Sequence, residues 1–181
     1  MSLTKGQRLL GANMSEVKWV RHYHDNSQLK QMTPWVNDQL HGVQTWYYES
    51  GALSYETPWV NGRMHGMVKH YTEEGTLIRQ TPWVNHNMHG MEKQYYSNGA
   101  LHCERPYVDD YVHGVEKTYY ISGQLKCVLP YVDDELHGIE KYYFEDGTLK
   151  YKTLWIRGDQ RDDLLGDKNK LARLMLLGSE A

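Results

Sequence analysis

The chain lacks several features on which common protein classes depend. Its 181 residues include a single Phe, two Cys and five Pro, and their net charge is −3. No apolar run approaches the roughly 20 residues that span a bilayer, and the first residues lack the apolar core of a secretion signal. Because proteins that bind nucleic acids need a basic surface, the charge gives no reason to expect DNA or RNA. These absences favour a cytoplasmic protein.

The chain does contain a strict repeat. The dipeptide His-Gly occurs at residues 41, 65, 89, 113 and 137, with 24 residues between successive copies. A fixed period of this kind is the signature of stacked, identical supersecondary units. Six copies fill residues 17–160, the first of them degenerate, and they leave a lead of residues 1–16 and a tail of residues 161–181.

Each copy has the composition of a β-hairpin. Two short segments rich in Tyr, Trp, Val and Thr are separated by turn residues, and neither segment has a helical period. The first turn ends in Gly, as at Gly51, and the second holds a pair such as Asn61-Gly62 that tolerates positive φ. We therefore predict an all-β antiparallel meander of about twelve strands, curved into an elongated sheet or a β-solenoid.

The loop length predicts which residues share a face of the sheet. A three-residue loop with Gly51 in the left-handed region places Tyr47 and Leu53 on the same face. Continuing the alternation adds Val43 and Trp59 to that face. Positions such as Trp46 and Tyr48 then lie on a second face, whose residues vary from copy to copy.

The tail departs from the period. Asp167 is placed to cap a helix over residues 168–177, and Gly178 is placed to end it. Because terminal repeats need a cap, we predict that this helix covers the open edge of the last hairpin. The alternative is that its apolar stripe, Leu171, Leu174 and Met175, docks to a partner.

The repeated histidines and the two cysteines invite interpretations that the spacing argues against. Equivalent residues of adjacent copies lie about 9.5 Å apart in a meander, whereas zinc ligands lie about 2.1 Å from one ion. A disulfide needs Cα atoms within about 7 Å, so we predict that Cys103 and Cys127 are free thiols. We predict no metal and no other cofactor. The residues assigned to the framework are His41, Gly42, Tyr47, Gly51, Leu53, Trp59, His65, His89, His113 and His137.

A row of lysines recurs in the copies, at Lys69, Lys93, Lys117 and Lys141. One interpretation is structural, with the alkyl stems lying across the aromatic rings of the same face. The other is a spaced cationic row that binds phosphates or acidic side chains. The neighbouring glutamates, such as Glu92, point to the opposite face and do not simply neutralise this row.

Aromatic residues on the variable face are the best candidates for a binding site, because interfaces are enriched in them. The candidates are Trp46, Tyr48, His70, Tyr96, Tyr120, Tyr142 and Phe144. A second set lies in the acidic second turns: Asp109, Asp110, Asp133 and Asp134. The structural alternatives are a second packed layer or strand propensity for the aromatic set, and ordinary turn chemistry for the aspartates.

Catalysis finds little support in the sequence. The chain has no Gly-rich phosphate loop, no nucleophile elbow and no Cys with a specifically placed base. Every notable polar residue has counterparts in other copies, whereas an active site is usually unique. We therefore predict that the protein is not an enzyme.

The unit His-Gly-x4-Tyr-Tyr-x2-Gly-x-Leu, followed by an aromatic-Val-Asn-Gly turn, resembles the variant form of the MORN repeat found in bacterial and phage proteins, many of them labelled antitoxin-like. The resemblance covers residues 17–160 and is carried by His41, Gly42, Tyr47, Gly51, Leu53 and Asn61-Gly62. It implies a β-hairpin array that serves as an interaction scaffold, in some relatives for proteins and in others for membrane lipids.

From these observations we predict a non-enzymatic scaffold that binds another protein through its variable aromatic face, with an antitoxin-like inhibitor as the form the resemblance suggests. One alternative is a cell-wall glycan or choline-binding module, in which spaced rings enclose a quaternary ammonium group. Another is peripheral binding to anionic lipid through the lysine row. We do not expect a small-molecule ligand.

Overall fold

The computed structural model describes residues 16–161, which form eighteen strands in one open antiparallel sheet. Six strands have six residues: β1 (Lys18–Tyr23), β4 (Gly42–Tyr47), β7 (Gly66–Tyr71), β10 (Gly90–Tyr95), β13 (Gly114–Tyr119) and β16 (Gly138–Tyr143). Six have eight: β2 (Leu29–Val36), β5 (Leu53–Val60), β8 (Leu77–Val84), β11 (Leu101–Val108), β14 (Leu125–Val132) and β17 (Leu149–Ile156). Six have two: β3 (Gln39–Leu40), β6 (Arg63–Met64), β9 (Asn87–Met88), β12 (Tyr111–Val112), β15 (Glu135–Leu136) and β18 (Asp159–Gln160).

The predicted all-β meander is confirmed. Each six-residue strand pairs with the eight-residue strand that follows it, and the next copy continues the sheet. Between residues 16 and 161 no helix is long and apolar enough to cross a membrane. The predicted terminal helix with Asp167 at its start, and nearly all of the lead, lie outside the described residues.

The turns have the predicted conformations. In the first turn the amide of Gly51 donates to the carbonyl of Tyr48 (2.9 Å), and Gly51 has φ +86°. In the second turn both residues have positive φ, at 50° for Asn61 and 78° for Gly62, which matches the type I′ hairpin turn. The Asp109-Asp110 pair adopts the same region, so the side chains at this turn vary while its backbone does not.

The predicted register is wrong for part of each hairpin. Tyr47 opposes Leu53 as expected, but Trp46 opposes Tyr55 because a β-bulge follows Leu53. The bulge displaces the rest of the strand by one residue, so Val43 opposes Pro58 and not Thr57. The same irregularity occurs in all six hairpins. Trp59 consequently lies on the face opposite to Tyr47 and Val43.

The sheet therefore has two faces of different character. The inner face carries the positions equivalent to 44, 46, 55, 57 and 59, and the outer face carries those equivalent to 43, 45, 47, 56 and 58. The buried residues of the inner face are Thr33, Thr57, Val68, Thr81, Glu92, Cys103, Glu116, Cys127 and Glu140. On the outer face the Val43 series stays 38–43% exposed at Val43, Met67, Met91 and Val115. The Val/Met ladder is thus a surface feature.

The His-Gly dipeptide forms a joint between copies. Gly66 has φ +117°, and a Cβ built on it would lie 3.0 Å from Cγ of Pro58 in the preceding copy. The amide of His65 donates to the carbonyl of Pro58 (3.1 Å). The strand pairing is interrupted at this joint. Trp59 is paired with Met64, but three residues before Trp59 the partner of Glu56 is Lys69, five residues after Met64. Glycine is required by both its φ and the proline ring.

Candidate functional site

The repeated histidines connect the second turns of neighbouring copies. Nδ1 of His41 lies 3.2 Å from the amide oxygen of Asn61, and Nδ1 of His113 lies 3.1 Å from a carboxylate oxygen of Asp133. Among residues 16–161 no group of three or more His, Cys, Asp or Glu side chains could hold a metal ion. Such contacts with the second turn are found for His41, His89, His113 and His137, which agrees with a framework role.

The acidic turn candidates take part in the same contacts. Oδ1 of Asp110 accepts a hydrogen bond from the amide of Met88 (2.7 Å), and Oδ1 of Asp134 accepts one from Val112 (2.7 Å). The other two aspartates face the repeat histidines, yet their side chains remain 63–69% exposed. These four residues therefore hold successive turns together and also form an acidic rim.

Four of the aromatic candidates lie at the hairpin tips. The hydroxyl of Tyr48 donates to the carbonyl of Tyr71 in the next copy (2.7 Å), and Tyr96 and Tyr120 repeat this bond at 2.8 Å. Phe144 occupies the equivalent position in the last described hairpin, and its ring is 48% exposed. The tyrosine hydroxyls thus connect adjacent copies, which the sequence interpretation did not anticipate.

The remaining aromatic candidates belong to one continuous line across the inner face. Trp46 opposes Tyr55, Tyr55 opposes His70, and each next residue opposes its neighbour in turn. We call this line the inner strip. It takes one residue from each of the twelve strands of six or eight residues, which we call the long strands. Its members are His22, Gln31, Trp46, Tyr55, His70, Arg79, Gln94, Cys103, Thr118, Cys127, Tyr142 and Tyr151.

The most varied part of the inner strip lies in the second to fourth hairpins. The rings of Tyr55 and His70 meet edge to face, with centroids 3.8 Å apart. Trp46 and Tyr55 border a cavity of about 430 Å³. A second cavity of about 340 Å³ is lined by His70, Ile78, Arg79, Gln94 and Tyr95.

His70 is held in its neutral form. Burial and, to a smaller extent, the guanidinium of Arg79 lower the pKa of its imidazole to about 4, against the opposing charge of Glu92. Nε2 of His70 lies 3.1 Å from Nη2 of Arg79. A neutral ring leaves this nitrogen a lone pair, so it accepts a hydrogen bond from the arginine.

The far part of the strip is more closed. Cys103 and Cys127 are free, as predicted, and each is 3% exposed. Burial raises the pKa of the Cys103 thiol to about 12 and also raises that of Cys127. The rings of Tyr142 and Tyr151 are stacked with centroids 4.6 Å apart, which leaves no space between them for a quaternary ammonium group.

Comparison with known families agrees with this architecture. The family described as MORN repeat variant matches residues 40–61, 64–85, 88–109, 112–133 and 136–156, which together exceed half of the chain. The chain belongs to the MORN repeat variant family. The hairpin of β1 and β2 precedes the first match but has the same register and bulge. A search of curated proteins finds no match.

MORN repeats of this kind are non-catalytic scaffolds. In this chain, lysines of the repeated row make contacts within the scaffold. Nζ of Lys69 lies 3.5 Å from a carboxylate oxygen of Glu56, and Nζ of Lys93 lies 3.1 Å from Glu104. The hydroxyls of Tyr71 and Tyr119 donate to the same two glutamates. Among the described residues, the ammonium groups found over aromatic rings belong to other lysines, Lys126 over Tyr120 and Lys150 over Phe144.

These lysines belong to an outer row of cross-strand partners, defined here as Arg21, Met32, Thr45, Glu56, Lys69, Gln80, Lys93, Glu104, Lys117, Val128, Lys141 and Lys152. Val128 stands where Glu104 stands one copy earlier. Within the described part of the chain, no carboxylate oxygen lies within 4 Å of Lys117, Lys141 or Lys152. The outer row of this MORN protein is therefore basic at its C-terminal end.

Sequence reasoning placed the inner glutamates on the correct face but missed their role. The carboxylate of Glu92 accepts from Oγ1 of Thr81 (2.7 Å), and that of Glu116 accepts from Nε of Arg105 (2.6 Å). Each contact joins one copy to the next. The available signal was a Thr or Arg eleven residues before each of these glutamates, but the shift caused by the bulge concealed the contact.

Proposed function

We propose that this MORN-repeat protein is a non-enzymatic scaffold that binds one particular protein along its inner strip. The observation that carries the proposal is the continuity of the strip, which takes one residue from each of the twelve long strands. A row of adjacent side chains can contact a single partner surface throughout its length.

The composition of the strip supports a single irregular partner. The position of Trp46 holds His, Trp, His, Gln, Thr and Tyr in the six copies, while framework positions such as Gly51 hardly change. A regular polymer would be matched by identical contacts at every copy, about 9.5 Å apart. Trp, Tyr and Arg, which the strip contains, are the residues that contribute most to protein interfaces.

Exposed residues at the hairpin tips and in the acidic rim are further candidates for contact with the partner. Phe144 is exposed two residues beyond Tyr142 of the strip, at the hairpin tips. The exposed aspartates Asp109 and Asp133 lie at the opposite end of the strands, six residues beyond Cys103 and Cys127. Inhibition of the partner, in the manner of an antitoxin, would then arise because the strip covers part of the partner's surface. Free cysteines in adjacent copies agree with a cytoplasmic location, where thiols stay reduced.

The test compares two tryptophans on opposite faces. The tagged full chain is used to purify bound proteins from its native cells, alongside the variants Trp46→Ala and Trp19→Ala. Trp19 is the matched control because it lies on the outer face and is 41% exposed. We expect a stoichiometric partner whose recovery falls at least tenfold with Trp46→Ala and is unchanged with Trp19→Ala. Recovery that depends on Trp19 and not on Trp46 would contradict the proposal.

One observation favours a second candidate function, attachment to anionic lipid. Lys141 and Lys152 are cross-strand partners, no carboxylate oxygen of residues 16–161 lies within 4 Å of either, and the exposed Val115 lies on the same outer face. Lysines near an anionic surface contribute about 1 kcal/mol each, and salt screens that attraction. Sedimentation with phosphatidylserine vesicles should then be lost in Lys141→Gln/Lys152→Gln and at raised salt. Sedimentation that is the same with neutral vesicles would exclude this function.

A further inference from the structure

Arg79 is the strip residue whose charge is left without a counterion. Its side chain is exposed, and its Nη2 is hydrogen-bonded to the imidazole of His70. Among residues 16–161 no carboxylate oxygen lies within 4 Å of its guanidinium. Arg105, the other arginine of the inner face, is paired with Glu116.

Glu92, the carboxylate whose charge acts on His70, is already engaged. One oxygen of Glu92 accepts from Thr81 (2.7 Å) and the other accepts from Nε2 of Gln94 (2.8 Å). Glu92 is also buried, whereas Arg79 opens to the cavity of about 340 Å³. Among the described residues the hydrogen bond to His70 is the one found for the Arg79 guanidinium, which leaves further N–H donors of its planar fork for a carboxylate.

Arg79 lies among apolar and aromatic side chains. Ile78 and Tyr95 line the same cavity, and the cavity of Trp46 and Tyr55 lies further along the strip. Tyr55 and Arg79 are both partners of His70, so they lie about 10 Å apart, which is two strand spacings. A segment in the polyproline II conformation, which has three residues per turn and rises about 3.1 Å per residue, presents residues three apart on the same side at close to that distance.

We infer that the inner strip receives a segment of the partner protein in which a large apolar side chain and a carboxylate lie about 10 Å apart, the apolar group at Trp46 and Tyr55 and the carboxylate at Arg79. This inference rests on the proposed function and specifies its partner. His70 is a positioning residue in this scheme, because its lone pair holds one N–H of Arg79 and orients the remaining fork.

The probe is the fluorescein-labelled peptide Gly-Leu-Ser-Thr-Glu-Gly, acetylated and amidated at its ends, with a Gln-for-Glu version as its pair. Anisotropy of the full chain with each peptide gives the two dissociation constants. We expect the Glu peptide to bind at least tenfold more tightly than the Gln peptide. Arg79→Gln should abolish that difference, whereas Arg63→Gln, which alters an exposed arginine outside the strip, should keep it.

Two further arms make the outcome decisive. His70→Gln keeps a hydrogen-bond acceptor and should retain the preference for the Glu peptide, whereas His70→Leu should reduce it. Free glutamate at the same concentration should not compete, because it lacks the apolar group. Equal binding of both peptides, no binding of either, a preference that survives Arg79→Gln, or full competition by glutamate would overturn the inference. The proposed function would still stand if partner recovery remained sensitive to Trp46→Ala.

Discussion

The two faces of the sheet are built from the same strands but differ in how far the repeat constrains them. On the outer face four successive copies keep Lys, beginning with Lys69, and the neighbouring Val43 series stays apolar and half exposed. On the inner face the strip changes at almost every copy, while the buried glutamates beside it join the copies together. The contacts that join the copies are thus repeated, whereas the side chains of the inner strip differ from copy to copy.

The largest effect is expected at the His-Gly joint, on which both faces depend. Gly138 has φ +124°, and a Cβ there would lie 2.9 Å from Cγ of Pro130. Gly138→Ala should lower the free energy of unfolding by about 3 kcal/mol, from backbone strain and overpacking together. Gly147→Ala is the control, because nothing lies within 4 Å of its Cβ position, and it should cost about 1 kcal/mol. Equal midpoints in urea for the two variants would contradict this account of the joint.

The second effect is the loss of stability when an ion pair is removed, which should be larger on the inner face than on the outer face. Glu116 is buried and holds Arg105 on the inner face, so Glu116→Ala should destabilise the protein by about 2 kcal/mol, less than a fully buried pair because Arg105 is one-third exposed. On the outer face Glu56→Ala breaks the more exposed contact with Lys69, at about 1 kcal/mol or less. Urea denaturation of both variants measures the contrast, and a larger loss for Glu56→Ala would refute it.

The third effect is a pH dependence that belongs to the inner strip. The folded pKa of His70 is about 4, below its usual 6.5, so the unfolded chain binds a proton first as the pH falls. The contribution of neutral His70 is complete above pH 6.5 and is lost progressively between pH 6.5 and 4. His70→Gln should remove this component from the stability profile, whereas Lys69→Gln on the outer face should leave it. An unchanged profile in His70→Gln would show that the imidazole does not titrate in this way.

The smallest effect concerns an unsatisfied donor on the inner face. Nε1 of Trp155 donates to Glu140 (2.5 Å), but Nε1 of Trp83 is buried without an acceptor because Val68 stands at the equivalent position. Val68→Glu supplies the carboxylate that Glu140 offers to Trp155, whereas a Gln does not serve, because Nε1 of Trp59 is unpaired although Gln44 stands at this position. The change should alter stability by less than about 1 kcal/mol, since the new bond offsets the burial of the carboxylate. The indole N–H resonance of Trp83 should shift downfield on substitution. No shift would mean that the two side chains do not meet.

The fold was largely predictable from the sequence, because a strict period and the turn residues both constrain the backbone. Gly51 and the Asn61-Gly62 pair were sufficient to predict both turn types. The face assignment failed beyond Leu53, because the bulge is not marked by any residue type in the sequence and shifts every later residue to the other face. The inner strip was predicted only in part: Trp46, His70 and Tyr142 were recognised, but their partners Tyr55 and Arg79 became apparent only from the corrected register.

The central claim is that the inner strip carries the partner. Hydroxyl-radical footprinting of the chain, free and in its complex, reports the exposure of Trp, Tyr and Met side chains on both faces at once. The account predicts that Trp46 and Tyr55 lose reactivity in the complex while Met67 and Met91 of the outer face keep theirs. Protection of Met67 and Met91 with unchanged reactivity at Trp46 and Tyr55 would contradict it.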